Sequence, residues 1–518
     1  MAGFWSMIGL VFRSLLTGAE TVNQSGEAAG ESPVARDVLC RYGIARFVPA
    51  KSSIRTGAMP ADAIADMAVD ALLSVHDTDA VRIDQYFIPD PDAADPFQAV
   101  REAQLGALNV GHRQDVDTVF WGRQDPGTGY LDLYMISDAL TSPLYDLLMY
   151  QVYHFRQTTH PDVAEALRLL LTSQLVLQSH GGEQRALQIA RLGVILEDLQ
   201  ERVLRGDTFS QAGEGAAMAY GFAAFILSET GDRTYCASAL RVMEPHIRKM
   251  VRDIAEKPAQ IKDQDKAQAA NAAMHHDVKE QTVDLLKRIT DFSKVSPQIT
   301  AALALYGSLV NWSLVANLNV RAASLSIAVW RILEQRIELS MGTPVSRGLS
   351  ICKLAEAFVL TGKEKENAKF VEKGAAYYRR GLGVLNARLH GSLYAITAYG
   401  LAEAIVTSAT IRDVTIPDAQ VVPVFQAALK VCNRRDQPYI WGRIMFALAT
   451  VYLTSGSLHK DREMLTHARM SFGHAYEAFT ESCARGAARA ASGGYTRSEN
   501  LLSQLGHRKA IEDATRVS

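Results

Sequence analysis

The sequence predicts an α+β chain: a small N-terminal domain of order β-α-β-α-β-β, followed by a mostly α-helical repeat array. Three observations carry that expectation. Val81, Ile83, Gln85 and Phe87 alternate onto one face over 80–88, the period of a strand, and DTVFWGR (117–123) and YLDLYMI (130–136) follow as two further strand-like runs. A turn-forming run, DPGTG at 125–129, separates the last two and reads as a hairpin. Beyond Pro143 the strand pattern stops, and one phrase returns at a fixed step: KLAEAFVLTG (353–362), YGLAEAIVTS (399–408), ALATVYLTSG (447–456).

Residues 1–18 read as an amphipathic helix. Ser6, Gly9, Arg13 and Thr17 form one stripe, and large apolar residues cover the rest. The apolar run is shorter than the about 20 residues that span a membrane. It suits a helix lying in a membrane interface, touching it with Phe4, Trp5, Ile8, Phe12 and Leu15, or one docked on protein. Residues 19–37, rich in Gly, Ala, Ser and Glu, read as a flexible tether.

The small α/β domain is expected over 38–140. GIARFVPA (43–50) reads as a strand, 61–76 as a helix and AVRIDQYFI (80–88) as a second strand. At DPFQ (95–98) Asp95 can cap a helix, Pro96 suits its first position, and Gln98 has capping-box spacing. Gly111 can stop that helix. With its final hairpin opening on DTVFWGR, this order resembles the small N-terminal domain of TolB-like and FlgO-like bacterial proteins, except that Arg46 interrupts the first strand. Such domains often precede tetratricopeptide repeats. The resemblance implies assembly or sensing rather than a known reaction.

The array is expected in three parts: helices over 143–256, a charged loop and connecting helix over 257–297, and repeats over 298–484. Adding 47 twice takes Leu354, Ala355 and Phe358 to Leu401, Ala402 and Ile405, then to Leu448, Ala449 and Tyr452. Tyr378, Phe425 and Phe472 keep the same step, as do Gly381, Ala428 and Ala475, and Leu385, Cys432 and Phe479. Large stays large and small stays small, as in helix pairs that stack on the next pair. The small residues belong where helices cross closely. Leu448-Ala449-x-x-Tyr452 and Ala468-x-x-x-Phe472-x-x-Ala475 resemble the tetratricopeptide repeat, with TSGSLHKDRE read as a lengthened loop between the two helices. Residues 485–518, rich in Ala, Gly, Arg and Ser, read as a flexible tail.

Composition narrows the function classes. With 54 Lys+Arg against 56 Asp+Glu, the net charge of −2 gives no field that would favour nucleic acid. The five cysteines form no CxxC pair and read as reduced thiols of a cytoplasmic protein. No phosphate-cradling glycine loop, HExxH or GxSxG occurs. Neighbouring His275 and His276 point about 100° apart on a helix, a poor pair for one metal ion. Asp90, Asp92 and Asp95 lack the Gly and distal Glu of a calcium loop. No catalytic residue, cofactor or metal is therefore expected.

A stacked array offers a concave face lined by the first helix of each pair. Implied by the repeat resemblance, its lining lies at fixed offsets from the repeating leucine. That selects Tyr399, Arg443, Glu403, Glu356, Phe446 and Thr450 as partner-binding candidates. Tyr and Arg are the expected anchors, with Glu356 and Glu403 setting charge preference. The expected function is a non-enzymatic scaffold for protein partners, cytoplasmic or peripheral on the inner membrane through residues 4–16. The alternatives are a self-assembling structural protein, with a second copy as partner, or an enzyme or ligand sensor with its site in the α/β domain.

Overall fold

The computed structural model describes residues 40–46, 78–90, 93–124, 130–156, 161–179, 182–205, 214–255, 282–317, 320–339 and 342–517. The expected helices over 4–16 and 61–76, the DPGTG turn, His275 and His276 lie outside them.

β1 (Cys40–Ala45) and β2 (Thr78–Ile83) pair in parallel, and β1 also pairs in parallel with β3 (Thr118–Gln124). β3 and β4 (Tyr130–Ser137) form the expected antiparallel flanks of a hairpin. A fifth strand, β5 (Tyr153–Arg156), pairs with β4 and gives the order β2-β1-β3-β4-β5. It corrects the expectation that strands end before residue 143. Only four residues long, β5 has too short an alternation to register beside the apolar run that precedes it. Tyr42 and Ile44 point into the core, while Arg41, just before them, reaches Asp79 and Asp115. In the hairpin, Trp121 stacks on Tyr134 with ring centroids 5.5 Å apart, a directly opposed pair.

α1 (Pro96–Arg113) begins as expected, with Asp95 accepting from the Phe97 amide at 2.9 Å. Gln98 does not close a capping box; its side chain donates to Glu102. Nor is Gly111 the stop. It lies inside the helix, where its missing side chain lets Val119 of β3 approach.

α2 (Pro161–Gln178) and α3 (Gly182–Leu204) follow, then α4 (Glu214–Glu229) and α5 (Cys236–Ala255). α2 is fastened to the sheet: the Tyr42 hydroxyl donates to the Leu171 carbonyl, and Ser137 donates to Gln174. No core boundary falls at 140. One apolar cluster runs from Tyr42 through the sheet and the first hairpins as far as Leu401 and Ala404. The helices that follow the sheet thus start at residue 161 and share its core.

After α6 (Thr282–Arg288) come α7 (Pro297–Asn317) and α8 (Val320–Leu339), then the hairpins α9/α10 (Pro344–Glu364, Ala368–Val384), α11/α12 (Gly391–Ile411, Asp418–Val431) and α13/α14 (Pro438–His459, Arg462–Glu481). Among the described residues α7 alone is long and apolar enough to cross a membrane, and 83% of that stretch is buried inside the protein.

The 47-residue step is geometric. α9, α11 and α13 begin at 344, 391 and 438. Each ends in the same turn, where Glu366, Asp413 and Lys460, again 47 apart, take left-handed φ angles of 47°, 53° and 53°. The next amide bonds back to Gly362, Ala409 or Gly456, a Schellman closure. TSGSLHKDRE is therefore mostly helix: α13 runs to His459 and α14 starts at Arg462, with Asp461 capping it. The extra length lies in the helices: Thr454, Ser455 and Gly456 are buried, and Gly456 lies against Leu465 and Met464 of α14. The periodic residues occupy the buried positions expected of them, including Ala355, Ala402 and Ala449 of the first helices and Tyr378, Phe425 and Phe472 of the second. Gly400 lies against the Tyr378 ring, where a Cβ would collide.

The tail expected to be flexible is a helix, α15 (Arg485–Val517), beginning one further step of 47 after α13. Alanine is the strongest helix former. Here Ala488 and Ala491 face the core, and Gly494 lets the Phe472 ring approach.

None of the three turn residues is glycine, although each takes a conformation that costs a side-chain-bearing residue about 1–2 kcal/mol. Lys460→Gly should therefore stabilise the last hairpin by about 0.5–1 kcal/mol, after the greater freedom of glycine in the unfolded chain is subtracted. Chemical denaturation of the two proteins checks it; a lower midpoint for the variant would contradict the turn geometry.

Candidate binding site on the inner helix face

α4, α7, α9, α11 and α13 pack in succession, each on the next. The polar residues of their shared inner face meet in one cluster. Trp312 of α7 is its centre: the indole N–H donates to Glu229, the last residue of α4, at 3.0 Å. The Arg233 guanidinium, in the turn after α4, lies 4.6 Å from the centroid of the Trp312 ring system. From α13 the Arg443 guanidinium comes within 5.0 Å of the Tyr399 ring, 5.9 Å of Tyr439 and 6.0 Å of Trp312. Such cation–π contacts contribute about 0.5–2 kcal/mol each, more as water is excluded.

The carboxylates have separate partners. Glu356 accepts from Lys353 at 3.2 Å and from Asn311 at 3.0 Å. Glu403, one step of 47 further on, pairs with Lys363 of α9, so this ion pair ties neighbouring hairpins. Burial works against charge on Glu403, whose side chain is 12% exposed, yet Lys363 and then Arg443 hold its carboxyl below the ordinary range. Burial likewise opposes charge on Lys353, but Glu356 and Glu229 more than offset it and raise its pKa. A small cavity adjoins the cluster; Glu229 and Lys353 form part of its polar wall, and Phe225, Leu349 and Ile396 part of its apolar one.

The structure gathers four of the six expected residues. Tyr399, Arg443, Glu356 and Glu403 are half-buried and take part in the cluster. Phe446 and Thr450 do not line the face. Phe446 is 0% exposed, between the rings of Phe472 and Phe479 at 5.2 and 6.4 Å. Thr450 is 6% exposed, and its hydroxyl donates to the Phe446 carbonyl. The offset rule fails in this hairpin because α14 and α15 both pack on α13. Sequence reasoning missed Glu229, Arg233, Trp312, Lys353 and Lys363. The first three belong to α4, its following turn and α7, outside the 47-residue step, so no offset could reach them. Lys353 and Lys363 are visible beside the repeat, but their pairing depends on how the hairpins stack.

A second polar cluster lies in the sheet. Asp132, buried in β4, accepts from Arg123 at 3.2 Å and from His154 Nδ1 at 2.6 Å; His154 Nε2 stands 3.9 Å from Glu214. These charges answer one another and tie β3, β4 and β5 to the start of α4. Burial pushes the Cys236 and Cys352 thiols up to about 11, which suits packing rather than nucleophilic attack. Among the described residues no three His, Cys, Asp or Glu side chains are placed to hold a metal ion.

The Glu403–Lys363 pair predicts a pH effect. A carboxyl lowered in the folded state stabilises the protein above its unfolded pKa, about 4.3, and loses that contribution as pH falls through its folded value. Lys363→Met strands the Glu403 charge. It should cost about 1–3 kcal/mol at pH 7 and distinctly less near pH 4, where the stranded carboxyl takes up a proton. Denaturation of both proteins at the two pH values measures this; a pH-independent cost would mean the pair is not coupled.

No family model matches this chain, and neither the curated proteins nor the solved structures provide a match.

Proposed function

We propose that the protein is a non-enzymatic scaffold that binds a partner polypeptide on the inner face of a tetratricopeptide-like helical array. The observation that carries the reading is the Trp312 cluster: a buried tryptophan and Arg233, with the half-buried Tyr399, Tyr439 and Arg443 of the following helices, beside a cavity. Aromatic residues and arginine concentrate binding energy in protein interfaces, and a cluster already held in place loses little freedom on binding. The sheet shares the helical core, so its role in this reading is to anchor the first hairpins.

The test is affinity capture from native lysate with wild type and a Tyr399→Phe, Arg443→Gln double variant whose circular dichroism and unfolding midpoint match wild type. A small set of proteins should be recovered by wild type and lost by the variant. Identical recoveries would overturn the reading.

The N-terminal segment 4–16 is proposed separately as a peripheral membrane contact, on the strength of its apolar surface and its Ser6, Gly9, Arg13 and Thr17 stripe. Full-length protein should sediment with anionic liposomes, and a chain starting at Ser32 should remain in the supernatant. Equal sedimentation would remove this part.

A further inference from the structure

The inner cluster holds more positive charge than it answers. Among its members Lys353 answers Glu356 and Lys363 answers Glu403, while Glu229 accepts from the neutral Trp312 N–H and keeps its charge. Three carboxylates thus meet four cations, one in excess; Arg443 stands in the field of Glu403 and Glu356, while burial dominates at Arg233. Neither arginine has a carboxylate within ion-pair distance among the described residues. Arg233 is 9% exposed, and its Nε is sealed from water with no hydrogen-bond partner. Burial makes its charge costly, and nearby Arg443 adds to that cost. A buried cation is ordinarily paired, because removing a guanidinium from water without a counter-charge is expensive. Ring contacts with Trp312 and Tyr399 recover only part of that cost. Two guanidinium groups set against one indole, with one cation in excess of the nearby carboxylates, form a seat for an incoming anion.

We propose that Arg233 and Arg443, both seated against Trp312, receive a carboxylate of a bound peptide, and that the adjoining cavity receives an apolar side chain next to it. Arginine suits this role because its planar fork meets both oxygens of a carboxylate. Glu229 lines the cavity and accepts from the indole of the seat, so cavity and seat share that residue. Phe225, Leu349 and Ile396 give it an apolar wall. The preferred ligand is thus an acidic residue, or a chain end, beside a residue such as leucine. This inference rests on the scaffold reading and names the partner chemistry within it.

The probes are three fluorescein-labelled heptapeptide mixtures. All carry a fixed leucine and are randomised at the flanking positions. One has Asp next to the leucine and an amidated end, the second Asn and an amidated end, and the third Asn and a free C-terminal carboxylate next to the leucine. Fluorescence anisotropy with the full-length protein at physiological ionic strength should show the Asp or the free-acid mixture binding at least tenfold more tightly than the amidated Asn mixture. Which of the two does so identifies the source of the carboxylate. Arg233→Gln should abolish the preference, and Arg233→Lys should retain part of it. The comparison in wild type needs no variant, so misfolding cannot mask the answer. Equal binding of all three mixtures, or none, would overturn the carboxylate seat. The lysate capture, scored on partners of any charge, still decides the scaffold reading independently.

Discussion

α4 is apolar on nearly every side, and the rest of the molecule is arranged to meet that demand. From Gly215 to Ser228 every residue is buried. A helix of this kind is stable in water only when neighbours cover its whole circumference. β5 and α2, α3, α5 and α7 do so here. The start of the helix lies so close to β5 that a Cβ on Gly215 would strike the His154 backbone, and Met243 of α5 fills the space beside Gly221. Sheet and helices therefore cannot be separate bodies meeting at a surface. Each supplies part of the same apolar enclosure, and the polar cluster of Asp132, His154 and Glu214 fastens the end where they join.

The polar inner face follows from the same arrangement. The last turn of α4 brings Glu229 to the edge of the enclosure, and the following turn delivers Arg233. From there α7, α9, α11 and α13 each add an aromatic or charged side chain. Outward-facing arginines elsewhere have carboxylates to meet: Arg380 reaches Glu334, and Arg434 reaches Glu477 and Glu481. The contrast with Arg233 and Arg443 gives the inner face its distinct chemistry. Those arginines are paired with carboxylates, while Arg233 and Arg443 are held over aromatic rings.

Much of this was legible in the sequence wherever a period could accumulate. The hairpin strands, the Asp95 cap and the repeating Leu, Ala and aromatic positions of the last three hairpins emerged from alternation or from the 47-residue step. β5 did not, being too short to display a period. α15 did not, because its alanines and glycines look like a loop until Phe472 and the last hairpin are there to pack against them. The cluster around Trp312 was partly legible. Tyr399 and Arg443 fell at the right offsets, whereas Phe446 and Thr450 obeyed the offset but are enclosed by α14 and α15. Trp312 and Arg233 were invisible because the register that would have revealed them does not extend to α4 and α7.

The apolar interior is not uniform along the chain. One cluster encloses the sheet and the helices as far as α11, and two smaller ones follow, around Phe425 with Val451 and around Phe472 with Phe479. Regions with fewer shared contacts open at lower free energy than the body they adjoin. The chain is thus graded in cooperativity. The sheet end must be lost as a whole, while the terminal hairpins can open from α15 inward. Arg443 stands on that looser side and Arg233 on the firmer one. The inner cluster spans the boundary, so a ligand held by both arginines would join the terminal hairpins to the body and make the two unfold together.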